Sequence, residues 1–108
     1  MKRRVIVRSA RMAVAEITDF VASGNVAKAA TYPGLVADLL EAFDERFLPH
    51  RPEPDRLPKV YQARVPSFAG YVLWIVVTDE AIAVIAAFRP GLATGERVRR
   101  ARRGMEDL

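Results

Sequence analysis

The chain has 108 residues, 51% of them hydrophobic and 28% charged, which suits one folded domain and is too apolar for a disordered segment. It contains no cysteine, so disulfides and cysteine-based zinc sites are excluded. Seventeen basic residues outnumber thirteen acidic ones, and fourteen of the basic ones are arginine; guanidinium groups favour an anionic partner such as a nucleic acid or an acidic protein.

The N-terminal MKRRVIVRSARMAV has positive charge but no apolar stretch long enough for a secretory signal, so a cytoplasmic location is expected. Within positions 2–8, Val5 and Val7 point to one side and basic residues dominate the rest, which predicts a short strand near a sheet edge. Ser9 is placed to cap the helix that follows. Ala13, Val14, Ile17, Phe20 and Val21 recur at helical spacing up to Gly24, predicting a first helix over about residues 10–23.

Asn25 is the expected cap of a second helix, antiparallel to the first, with an apolar stripe of Tyr32, Leu35, Val36, Leu39, Leu40, Phe43 and Phe47. An interior proline costs a helix about 3 kcal/mol, so Pro33-Gly34 predicts a kink or break there. Glu41, Asp44 and Glu45 read as a solvated helix face rather than a cation site. The proline-rich LPHRPEPDRLP, positions 48–58, predicts an extended loop in which His50 meets solvent.

KVYQARV, residues 59–65, alternates like a half-exposed strand. Positions 72–90, VLWIVVTDEAIAVIAAFRP, are the most apolar stretch, yet Thr78, Asp79 and Glu80 divide it, whereas a spanning helix needs about 20 apolar residues. Two buried antiparallel strands, roughly 71–77 and 81–88, are expected instead, and no membrane association. Tyr71 and Trp74 read as core rather than as a base-stacking platform. After Pro90-Gly91, GERVRRARRGMEDL predicts a short helix with Val98, Ala101, Met105 and Leu108 on one side and arginines around the rest. Gly104 weakens that helix, so it is expected to order fully against a partner.

No phosphate-cradling loop, nucleophile elbow or metal-binding helix motif occurs. No metal or cofactor is called for. The residues left for function are arginines, with Arg64 and Arg89 placed to project from one surface of the sheet beside the arginines of the tail.

RVIVRSA, the helix pair over residues 10–47 and QARVPSFAGYVLWIVVTDEAIAVIAAFRPG together resemble the RelE/ParE superfamily of small toxins from toxin-antitoxin operons. The resemblance implies an α+β domain with a small antiparallel sheet in β-α-α-β-β-β order, packed against an N-terminal helical hairpin, and a short basic C-terminal helix. It further implies the toxin of a type II, plasmid-stabilisation pair, neutralised by a cognate antitoxin in a hetero-oligomer. Members either cut mRNA on the ribosome or inhibit DNA gyrase.

The cleaving branch commonly has an arginine after the tyrosine of the third strand and a tyrosine near the tail, whereas here Val72 follows Tyr71 and no later tyrosine occurs. A gyrase-binding, ParE-like toxin without chemistry of its own is therefore expected, using Arg89, Arg97, Arg99, Arg100 and Arg103 against its target. A metal-independent ribonuclease would draw on Arg64, Arg89 and Lys59. A non-toxic protein-interaction or nucleic-acid-binding module is the third reading. The antitoxin is expected to cover Val14, Ile17 and Val21 of the first helix and Val98 and Met105 of the last.

Overall fold

The computed structural model describes residues 1–47 and 49–108; Leu48, first residue of the expected loop, lies outside the described residues. The elements are β1 (Arg3–Ile6), α1 (Arg8–Ala22), α2 (Val26–Ala42), a 3₁₀ turn (Glu45–Phe47), β2 (Val60–Arg64), β3 (Val72–Val77), β4 (Ala81–Phe88) and α3 (Thr94–Glu106). The fold is α+β in the expected order, and the sheet runs β1-β4-β3-β2. No helix among the described residues is long and apolar enough to cross a membrane.

The expected antiparallel sheet is in fact mixed. β2, β3 and β4 form the antiparallel meander, but β1 joins β4 in parallel, with Ile6 opposite Val84. Every residue of β3 and β4 is buried, as befits inner strands of a sheet with both faces covered. β1 supplies the second neighbour of β4.

Side chains alternate across that sheet. Tyr61 lies opposite Ile75 and meets Phe43, at the end of α2, with ring centroids 5.9 Å apart. Trp74 projects the other way, donates its indole N–H to Gln62 Oε1 at 3.0 Å, and meets Phe88 edge-on at 5.0 Å. It is core, as its spacing suggested.

Four local expectations change. Val7, not Ser9, is the N-cap residue of α1; Ser9 sits inside the first turn and its N–H donates to the carboxylate of Asp107 at 2.9 Å. α2 runs unbroken through Pro33, because the packing of Tyr32, Val36 and Leu40 into the core outweighs one lost backbone hydrogen bond. Phe47 falls in the 3₁₀ turn beyond α2 and is exposed. Gly104 is buried within a continuous α3, which orders against β4 of its own chain.

Other caps follow the sequence. Asn25 Oδ1 accepts from the Lys28 N–H at 2.9 Å, and Gly91, with φ +95°, makes the left-handed turn from β4 toward α3 that glycine adopts without strain. The backbone of the 49–58 loop shields the β2 edge where the Gln62 N–H donates to the His50 carbonyl at 2.7 Å. The His50 residue itself is exposed.

Candidate binding groove

β1 is four residues long and β4 eight, so residues 85–88 have no strand beside them on the β1 side. The chain turns away into α1 at that point. α3 then runs back along β4, as three successive contacts show: the Arg97 guanidinium lies 5.2 Å over the Phe88 ring, Gly104 abuts Ile85, and Asp107 reaches Ser9. Between α1 and α3 two cavities of about 330 and 380 Å³ adjoin, sharing Ala13, Glu16, Ala87, Phe88 and Arg100 as lining. Together they make one groove.

Helical spacing sets its walls. Met12, Glu16 and Phe20 succeed one another at four-residue steps on one side of α1, and Met12 and Phe20 remain 55% and 52% exposed. On α3 the same spacing brings Glu96, Arg99, Arg100 and Arg103 to the opposite wall. Glu96 accepts from Arg99 and, at 3.1 Å, from Arg100 Nε; these hydrogen bonds, Arg99 first, hold its carboxyl below the usual glutamate range. One carboxylate thus steadies two guanidinium groups.

Arg89 follows the last residue of β4 and folds across the groove end, its guanidinium 3.8 Å from the centroid of the Phe20 ring. Arg100 lines the same cavity. Glu16 lines both cavities and has no ion pair among the described residues. The surface therefore combines flat cations, two exposed apolar side chains and one uncommitted carboxylate.

The structure gathers only some of the expected residues. Arg89, Arg99, Arg100 and Arg103 line the groove. Arg97 is turned inward, donating to the carbonyls of Leu92 at 3.2 Å and Arg89 at 3.3 Å, where it fixes the turn between β4 and α3. Arg64 ends β2 opposite Val72, which in turn faces Phe88, so two strand spacings put its backbone roughly 10 Å from Phe88. Lys59 is at the other end of β2, its carbonyl bonded to the Val77 N–H, roughly 17 Å of strand from Arg64. Lys59 does not join the two arginines.

The stripe expected to meet an antitoxin is largely internal. Ile17 and Val98 are core residues, 5% and 3% exposed, and Val14 and Val21 are half-buried against that core; only Met105 is open, at 38%. The β-branched stripe packs inward and leaves Met12 and Phe20 outside. Those two, with Glu16, are the residues that sequence reasoning missed, although their four-residue spacing marks a second face on α1.

Outside the groove, two neighbouring carboxylates are held by cations. Asp44 is held by Arg46 at 2.7 Å, which lowers its carboxyl to about 2, and Glu45 by Lys2 at 2.9 Å. Among the described residues no group of three metal-ligating side chains stands together. Compared with models of known protein families and with curated proteins, the chain matches none. Its functional reading rests on the groove.

Proposed function

We propose that this chain is the toxin of a type II toxin-antitoxin pair of the RelE/ParE kind, acting as a ParE-like inhibitor of DNA gyrase through Arg89, Arg100 and the neighbouring arginines of α3. The observation that carries this reading is their convergence: Arg89 and Arg100 reach one cavity beside the exposed Phe20, while Lys59 and Arg64 stand at opposite ends of β2. Metal-independent RNA cleavage needs a proton-transfer group and several cations around one phosphate. Of the three residues that the ribonuclease reading draws on, Lys59 stands apart from Arg64 and Arg89, whereas a binding surface needs no such assembly.

A basic surface with exposed apolar side chains also suits a protein that is held in a hetero-oligomer by a cognate antitoxin in the cytoplasm. One feature favours the runner-up, a ribosome-dependent mRNA endonuclease: Glu16 offers a carboxylate inside the arginine-lined groove. Two assays separate the readings, inhibition of supercoiling by purified gyrase and translation-coupled mRNA cleavage. Expression in a bacterial host is expected to arrest growth, relieved when Arg89 and Arg100 are both replaced by alanine in a chain that still folds. Harmless expression of the parent would point to a non-toxic binding module, and undiminished toxicity of the folded double variant would remove the groove from the mechanism.

A further inference from the structure

The groove changes its chemistry in three steps along α1. At one end the Arg89 guanidinium is stacked on Phe20 at 3.8 Å, and Phe88 and Leu92 line the space beside the pair, which makes a flat apolar seat. One helical turn away, about 6 Å along the axis, Glu16 faces both cavities with a carboxylate free of ion pairs among the described residues. At the far end Arg100 and Arg103 meet Ser9 around the other cavity. The Ser9 hydroxyl is buried there and has no hydrogen-bond partner among the described residues. The groove is also bounded, because Arg89 crosses one end and the bond from the Ser9 N–H to Asp107 ties α1 to α3 at the other. Roughly 16 Å of helix separates Ser9 from Phe20.

We infer that the groove binds a free purine ribonucleoside diphosphate, its base stacked on the Phe20–Arg89 pair, its ribose hydroxyls donating to Glu16 and its phosphates held by Arg100, Arg103 and Ser9. The three stations follow the order of the ligand itself. An ionised carboxylate only accepts hydrogen bonds and repels phosphate, so the part of a nucleotide that suits Glu16 is the neutral 2′,3′-diol; acidic residues hold the ribose of dinucleotides in the same way. Any base can stack on a ring backed by a guanidinium, and a purine covers more of it. A nucleic-acid strand fits less well, since it would need open ends and would carry its phosphates past Glu16. Each cavity falls within the range of about 300–1,000 Å³ typical of ligand sites. The site stands apart from the toxin reading; on that reading alone rests one consequence, that bound nucleotide covers Arg89 and Arg100 and so competes with the target.

Calorimetric titration of the intact chain with adenosine diphosphate, its 2′,3′-dideoxy analogue, pyrophosphate and oligoadenylate tests this. Adenosine diphosphate is expected to bind about tenfold or more tightly than the dideoxy analogue, as hydrogen bonds to a charged group require. Glu16→Gln should cut that preference to about threefold or less. The preference is read rather than the affinity, because removing a negative charge also eases the approach of phosphate. Arg103→Ala should weaken both ligands by about tenfold and keep the preference, whereas Arg102→Ala, at an exposed arginine outside both cavities, should change neither. The inference fails if adenosine diphosphate does not bind, if the dideoxy analogue binds as well, or if Arg103→Ala leaves the affinity unchanged. It fails equally if pyrophosphate binds as tightly, which would mark a plain anion site, or if oligoadenylate binds more tightly, which would mark a strand. Growth arrest is scored separately, so a harmless chain that binds the nucleotide sinks the toxin reading and leaves the site standing, and a toxic chain that does not bind it does the reverse.

Discussion

Gly104 of α3 lies so close to Ile85 of β4 that a Cβ at position 104 would stand 2.0 Å from the Ile85 carbonyl oxygen. Ile85 is the residue left without a β3 partner where the register shifts between the Trp74–Ala86 and Ile75–Val84 pairs. The strand irregularity and the glycine meet at one point, and α3 rests on β4 backbone there.

Gly104→Ala is therefore expected to destabilise the fold by about 1–3 kcal/mol through overpacking, although alanine in a free helix would gain about 1 kcal/mol. Gly34, in the middle of α2 with nothing within 4 Å of a built Cβ, is the matched control: Gly34→Ala should stabilise by about 0.5–1 kcal/mol. Urea denaturation of both variants, read by Trp74 fluorescence, checks the opposite signs.

Arg4 joins the first strand to the end of the second helix. Its Nη1 donates to the carbonyls of Leu40 at 2.7 Å and Phe43 at 2.8 Å, groups that the last turn of a helix leaves without partners. Arg4→Met keeps the aliphatic stem and removes the donors, so a loss of about 1.5–3 kcal/mol is expected from hydrogen bonds to a charged group. Equilibrium unfolding measures it, and Arg3→Met, at an exposed neighbour whose side chain makes no hydrogen bond or ion pair among the described residues, should change stability by less than about 0.5 kcal/mol.

Asp107 ties the C-terminal end of α3 to the first turn of α1, its carboxylate accepting the Ser9 N–H. That hydrogen bond, with Arg103 and Arg8 nearby, lowers its pKa below the ordinary 3.8. A carboxyl whose pKa is lower folded than unfolded adds stability above the unfolded value and loses it as pH falls through the folded one. Asp107→Asn should thus lower the melting temperature at neutral pH, and the difference from the parent should shrink below about pH 4. Thermal melts across that range decide it; a gap that stays constant with pH would show that the carboxylate charge is not what binds the two helices.

Much of the fold is legible because its signals are local. Continuous Val and Ile runs on either side of Asp79-Glu80 mark β3 and β4, and Asn25 marks the start of α2. What escapes the sequence is which surfaces meet. The parallel pairing of β1 with β4 depends on β4 needing a second neighbour, and nothing within RRVI encodes that. Gly104 reads as a weak point when the helix is considered alone and becomes the closest packing point once α3 lies on Ile85. On α1 two apolar stripes are present, and only the sheet beneath decides that Ile17 goes inside while Met12 and Phe20 stay out. The groove arginines were visible as residues, but Arg97 separated from them only through its contacts with Leu92 and Arg89.

That separation gives the last test, between arginines of α3 that look alike in sequence. Arg97 is half-buried, bonded to two backbone carbonyls and laid over Phe88, whereas Arg102 is exposed and has no hydrogen bond or ion pair among the described residues. Arg97→Ala removes charge-assisted bonds and stem packing together and should cost about 1–3 kcal/mol. Arg102→Ala should stay within about 0.5 kcal/mol of the parent. Arg89→Ala falls between, since a cation over a half-exposed ring contributes about 0.5–1 kcal/mol; it should therefore remain folded at growth temperature. If expression arrests growth, as the proposed function requires, relief by Arg89→Ala reports on the groove and relief by Arg97→Ala on the fold, and denaturation curves run beside the growth assay distinguish the two.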